Sequence, residues 1–193
     1  CGVLHQAKKL SGSFTQKIIS SKIKNYFVLA EYIKNFIKTN SINVEYFYPL
    51  LDCPPKIENN NLTITVPGEI ASWRRDYMWL MNFAKQNFEK LNNRLKFIFL
   101  GSGNSKDGKE VIQFILDNNL SSIFKYYEDY VPENEFIKVL QRTNLIFPLL
   151  NPGAGEYEYY KTTKISGAFN LAINYKIPLL LNNNFKDAID FKN

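Results

Sequence analysis

Two arginines, Arg74 and Arg75, stand six and seven residues after Gly68 in VPGEIASWRRDY, where an apolar run ends and a helical pattern begins. A guanidinium there can grip two phosphate oxygens with a planar fork, and a helix start adds partial positive charge; the alternative is a solvated surface pair. Further along, LLNPGAGEYEYYKTTKISGAF sets Lys164 beside Ser166 and Gly167. Small residues at a helix start can present backbone N–H groups to an anion, although ordinary helices also begin this way. The loop ahead of them is longer than a connection needs. Its Glu156 and Glu158 can accept hydrogen bonds from sugar hydroxyls, or form a solvated acidic tip. In FLGSGNSKDG, Gly101 and Gly103 would let backbone approach a ligand. That run lacks the third glycine of a dinucleotide fingerprint and is no Walker A loop, so a tight strand-to-helix turn is the better reading.

The elements that must position these residues alternate regularly. NLTITVPGEI reads as a strand ending at Pro67-Gly68, and RRDYMWLMNFAKQNFEKLN as the helix after it. LKFIFLGSG, IFKYYEDYV, NLIFPLL and IPLLL read as further strands, with helices through GKEVIQFILDNN, PENEFIKVLQR and the segment after Ser166. Apolar strands alternating with helices predict an α/β fold, a parallel sheet with helices on both faces and ligand chemistry at the carboxyl ends of the strands. Upstream the pattern differs. From Ser13 to Thr39 apolar residues recur at helical spacing around a strand-like break near YFVLA; VEYFYPLLDCPP then runs extended, and KIENNN is rich in turn formers. A domain junction is expected there, dividing residues 1–58 from 59–193.

The 193 residues suffice for one good-sized core, and a composition 45% hydrophobic and 15% aromatic is that of a globular chain. No apolar run approaches the roughly 18 residues needed to cross a bilayer. The +6 formal charge favours anionic partners, without a dense basic block. Two cysteines, Cys1 and Cys53, make neither a disulfide framework nor a zinc site and point to a reducing compartment. His5 is the only histidine, which argues against a histidine-centred triad or a His-rich metal site. No aromatic and basic interleaving of a nucleic-acid module is present. The chain begins at Cys1 with no initiator methionine and reads as part of a longer protein.

The order PGxI-x3-RRDY, a strand ending GSG, YVPENEF, a strand ending in Pro148 and a helix leading into KIPLLL resembles the C-terminal, nucleotide-sugar-binding half of GT-B glycosyltransferases, nearest the retaining group called family 4. The resemblance covers about Leu62 to Asn182; residues 1–58 look like the helical and extended end of the acceptor-side N-terminal domain, with the linker. It implies a Rossmann-like domain and sugar transfer from a nucleotide-diphosphate sugar to a glycan or lipid-linked acceptor in polysaccharide or lipopolysaccharide biosynthesis. It further implies a cytoplasmic location, with peripheral association at the inner membrane face, and neither metal nor other cofactor. By position, Gly68 matches the glycine near the diphosphate and Arg74 the family's diphosphate-binding lysine. Glu69 stands where an arginine is usual, with Arg75 as its stand-in. Tyr130 and Val131 fall in the base-contacting segment. The family's paired glutamates are replaced by Thr163 and Leu171, and relatives with a small-residue helix start like KISGAF are the better match. Taken together, the residue readings and the resemblance make Arg74 and Glu158 the candidate catalytic residues and Gly68, Arg75, Gly101, Tyr130, Val131, Lys164, Ser166 and Gly167 the candidate donor-binding ones. A non-catalytic flavodoxin-like regulatory or nucleotide-binding module is the alternative.

Overall fold

The computed structural model describes residues 1–38, 41–50, 53–59 and 61–185, apart from the side chains of 11 and 12. The last residue of the helical run ending at Thr39, Leu51 and Asp52 of VEYFYPLLDCPP, Asn60 of KIENNN and residues 186–193 of the expected second domain lie outside these. The chain resolves into two compact units. The first gathers Cys1–Leu50, Gly155–Ser166 and, of the described residues near the chain end, 182–185; the second gathers Leu51–Ala154 and Gly167–Leu181.

In the first unit, β1 (Gly2–Leu4), α1 (Lys9–Gly12), α2 (Phe14–Lys22), β2 (Asn25–Val28), α3 (Glu31–Phe36) and β3 (Asn43–Tyr46) follow in order. The strands form a parallel sheet ordered β1-β2-β3. Strand alternation puts Tyr26 and Val28 on the buried face of β2 and Phe27 on the other. Ser13 caps α2, its hydroxyl accepting from the Gln16 N–H at 3.3 Å. The segment 155–166 joins this unit through a 3-10 helix, Tyr157–Lys161, and a bond from the Ala7 N–H to the Thr163 carbonyl at 2.9 Å.

The second unit contains β4 (Leu62–Pro67), α4 (Tyr77–Gln86), α5 (Phe88–Leu91), β5 (Leu95–Ser102), α6 (Lys106–Asp117), β6 (Phe124–Tyr127), α7 (Glu133–Gln141), β7 (Leu145–Ile146) and α8 (Gly167–Tyr175). All pairings in its sheet are parallel, in the order β6-β5-β4-β7. Successive residues of β5 serve opposite faces. Phe97 and Phe99 pack with Tyr77, Leu80 and Met81 of α4 and Val111 and Ile115 of α6, whereas Ile98 and Leu100 pack with Val139 and Leu140 of α7 and Ala168 and Ala172 of α8. Helices therefore cover both faces, as the alternation of strands and helices predicts. Phe99 is fully buried, 5.0 Å from the Tyr77 ring and 5.2 Å from that of Phe124; truncating it to alanine would cost about 3 to 5 kcal/mol.

Four expected elements are shorter than read; of the strand IFKYYEDYV only Phe124–Tyr127 forms. The helix through 74–92 begins only at Tyr77, because Asp76 caps it by accepting from the Trp79 N–H at 3.1 Å, and it breaks at Asn87 into α4 and α5. The strand NLIFPLL is reduced to Leu145–Ile146, since Pro148 has no N–H and Leu149 turns left-handed at φ 51°. IPLLL contributes a single parallel bridge, Ile146 to Leu179. The buried hydroxyls of Thr65 in β4 and Thr143 after α7 lie 2.7 Å apart, and Thr143 donates to the Val139 carbonyl at 2.8 Å.

Candidate functional site

The carboxyl end of β4 is a tight turn built around Gly68, whose φ of 99° is open to glycine and strained for other residues. Its N–H donates to the Leu100 carbonyl at 2.9 Å, and that of Ile70 to the Ser102 carbonyl at 3.1 Å, so the turn continues along the end of β5. Gly101 makes this approach possible, because a Cβ there would lie 2.3 Å from the Gly68 carbonyl carbon and oxygen. On the opposite side Arg75, 6% exposed, donates through Nη2 to the Pro67 carbonyl at 2.7 Å and through Nη1 to the Glu69 carbonyl at 3.1 Å. Tyr77 is buried alongside. Burial pushes its hydroxyl up to about 12, against the opposing charges of Arg75 and Arg74.

The N-terminus of α6 holds the same loop. Ser105 accepts from the Gly108 N–H at 3.0 Å and donates to the Ile70 carbonyl at 2.8 Å, while the Asp107 carboxylate accepts from the Ser72 N–H at 2.6 Å. Gly103 and Gly108 pack against each other: a Cβ at Gly108 would lie 2.3 Å from the Gly103 oxygen. The glycines of GSGNSKDG thus fit helix to strand in a tight turn.

Strand order reverses between β4 and β7, and in open α/β sheets ligands bind at that switch point, outside the carboxyl ends. Here the segments after β4 and β7 are joined by backbone: the Asp76 N–H donates to Leu149, the Asn151 N–H donates to Arg74, both at 3.0 Å, and Arg75 and Leu150 form an antiparallel bridge. Helix α8 precedes a segment bridged in parallel to β7, so it runs against the strands and its N-terminus, Gly167, faces the same edge. Gly167 is exposed, with nothing within 4 Å of where a Cβ would stand.

The other predicted residues are distributed as follows. Arg74 is half-buried, its guanidinium 5.3 Å from the Trp73 ring centre and its buried Nε without a hydrogen-bond acceptor. Tyr130 is 81% exposed, whereas the Val131 side chain packs in the core with Leu140 and Ile98. In the first unit, Lys164 is ion-paired to Glu156 at 2.6 Å, Glu158 is exposed and ion-paired to Lys161 at 2.6 Å, and Ser166 is buried. Sequence reasoning missed Tyr77, Ser105, Asp107 and Leu149. Ser105 carries a helix-cap signal three residues before Gly108, but the partners of the other three are remote in sequence. Among the described residues, no group of three or more His, Cys, Asp or Glu side chains is arranged to hold a metal ion.

No protein-family model and no curated protein sequence matches the chain. Solved structures do. A variant of S. aureus TarM, in complex with fondaparinux, alpha-GlcNAc-glycerol and UDP, aligns over 92% of this chain and 35% of its own at 17% identity and a TM-score of 0.55. A second TarM structure aligns over 96% of this chain and 41% of its own at 19% identity, also at 0.55. The N-terminal domain of Candida albicans trehalose-6-phosphate phosphatase aligns over 99% of this chain and 58% of its own at 11% identity and 0.50. The chain spans about two-fifths or less of the TarM structures. At these identities the likeness establishes the fold, one shared with GT-B glycosyltransferases.

Proposed function

We propose, proceeding from this GT-B type of fold, that the chain is the donor-binding part of a retaining glycosyltransferase. It would use a nucleotide-diphosphate sugar and deliver the sugar to a glycan or lipid-linked acceptor in polysaccharide or lipopolysaccharide assembly. The observation that carries this reading is the Gly68 turn, a left-handed glycine backed by the Arg75 guanidinium, with Arg74, the residue before Arg75, joined by backbone to Asn151, at the edge where strand order reverses. As the glycosidic bond breaks, negative charge grows on the leaving nucleoside diphosphate. Fixed cations and a helix N-terminus stabilise such charge without having to reorganise. Arg74 supplies the cation and α8, from Gly167, the helix start; on this reading no metal is required. Exposed Tyr130 offers a ring face for the base. Glu158 and Lys164 already have ionic partners, so serving a donor would require each to exchange one.

Residues 1–50 hold seven lysines against two glutamates, and α2 exposes Phe14 and Ile18 beside them. This combination supports peripheral association with an anionic membrane surface, and a place of action at its cytoplasmic side. Among the described residues, no helix is long and apolar enough to cross a membrane.

Titration calorimetry of the 193-residue chain with UDP, GDP, ADP and their nucleosides tests the reading. One diphosphate should bind at least about tenfold tighter than its nucleoside, equivalent to about 1.4 kcal/mol, and the chain by itself should transfer no sugar. Equal binding of nucleoside and diphosphate, or no binding at all, would overturn it.

A further inference from the structure

We infer that Arg75 is the positioning residue of this site: it sets the Gly68 turn from inside the fold, and a diphosphate meets the turn rather than Arg75 itself. The inference rests on the donor-binding reading above, but its core is independent of any ligand.

The turn contains three consecutive peptide groups. In the first, the Pro67 carbonyl accepts from Arg75 while the Gly68 N–H donates to Leu100. In the third, the Glu69 carbonyl accepts from Arg75 while the Ile70 N–H donates to Ser102. Two peptide planes are therefore pinned from both sides, by the guanidinium on one and by β5 on the other. The middle peptide, packed against Gly101, has its orientation set by its neighbours. A planar fork can span two carbonyls in this way, which an ammonium cannot do with the same fixed geometry.

Space leads to the same assignment. A Cβ on residue 68 would lie 2.7 Å from Arg75 Nη2, so the guanidinium occupies the volume that glycine leaves open. At the same time the Arg75 backbone bridges Leu150, tying the ends of β4 and β7 through one residue. A side chain only 6% exposed, with both terminal nitrogens donating to backbone, is directed into the turn and away from solvent.

The test has two arms on the full 193-residue chain. The first needs no ligand: thermal unfolding of Gly68→Ala, Arg75→Gln and the double variant. Removing Nη2 relieves part of the crowding caused by the new methyl, so the double variant should be less destabilised than the two single losses predict. Strict additivity would overturn the inference.

The second arm measures affinity for whichever of UDP, GDP or ADP binds the parent, at low and high salt. Arg75→Gln and Arg75→Lys should each lose about tenfold or more, because both lose the fork. Neither should flatten the salt dependence, since no cation is removed from the ligand. If Arg75→Lys binds as the parent does, or Arg75→Gln flattens the salt dependence, Arg75 contacts the phosphate and the inference fails. A parent that binds no diphosphate refutes the donor-binding reading, and the ligand-free arm still decides the role of Arg75. Should Arg75→Gln not fold, the cycle is run with Arg75→Lys, which keeps the buried charge.

Discussion

Replacing Arg74 by alanine should separate binding from stability. The side chain is half-buried, has a buried Nε with no acceptor, and lies 5.3 Å from the Trp73 ring. Folding gains about 0.5 to 1 kcal/mol from that cation–π contact. Leaving a buried donor unsatisfied costs about 1 to 3 kcal/mol. The two offset, so Arg74→Ala should melt within a few degrees of the parent. Binding is different: a charge-assisted hydrogen bond to a phosphate contributes about 1.5 to 3 kcal/mol, and its loss weakens diphosphate affinity by roughly ten- to a hundredfold. The bare nucleoside should be almost unaffected. Calorimetric titration of both ligands, with a melting curve for each protein, supplies the four affinities and two melting temperatures required. Arg74→Met, which keeps the apolar stem against Trp73, controls for lost packing. An unchanged diphosphate affinity in a folded Arg74→Ala protein would reduce the residue to a surface charge and remove the cation from the mechanism.

Gly167→Val should leave the melting temperature nearly unchanged, because nothing stands within 4 Å of the new Cβ, yet weaken diphosphate binding by blocking approach to the start of α8; equal weakening of the bare nucleoside would count against that role. Lys176 ends α8 at φ 52°, with the Ile177 N–H returning to the Ala172 carbonyl at 2.9 Å. Glycine suits that left-handed position, so Lys176→Gly should stabilise by about 1 kcal/mol and raise the melting temperature by about 2 to 4 °C. Tyr77, pushed up to about 12 by burial, keeps its proton in the folded protein at pH values where the unfolded chain has lost it. Its contribution is complete below the ordinary tyrosine value and is lost as pH rises towards 12. Denaturant titrations above pH 10 should show this decline, which Tyr77→Phe should flatten.

The second unit was legible because its strands and helices are written locally. Apolar runs such as FIFL bury both faces, and α6 repeats its apolar residues at helical spacing. The site was only half legible. Arginine after a glycine-ended strand reveals charge, but burial of Arg75 depends on the left-handed turn at Gly68, and no local pattern distinguishes its inward direction from the half-buried setting of Arg74. The exposure of Tyr130 and burial of Val131 likewise follow from packing against α7. Among the strands, β1 escaped because three residues, Gly2–Leu4, show too little alternation, and their partner β2 begins only at Asn25. The return of 155–166 to the first unit rests on backbone bonds to residues about 150 positions earlier, which no periodicity announces.

The hydroxyl pair between Thr65 and Thr143 bears on how the sheet finds its order. TITV, FIFL and LIF are short, apolar and parallel, and by hydrophobicity alone any of them could take the central place. Thr143 spends its proton on the Val139 carbonyl, so Thr65 must donate to Thr143. A misassembled sheet with β5 beside the end of α7 would bury phenylalanine or isoleucine against the Thr143 hydroxyl and leave Thr65 without its acceptor, at about 1 to 3 kcal/mol for the orphaned Thr65 hydroxyl. The pair acts as an address, marking β4 as the strand that belongs beside β7 and so deciding where the Gly68 turn comes to rest.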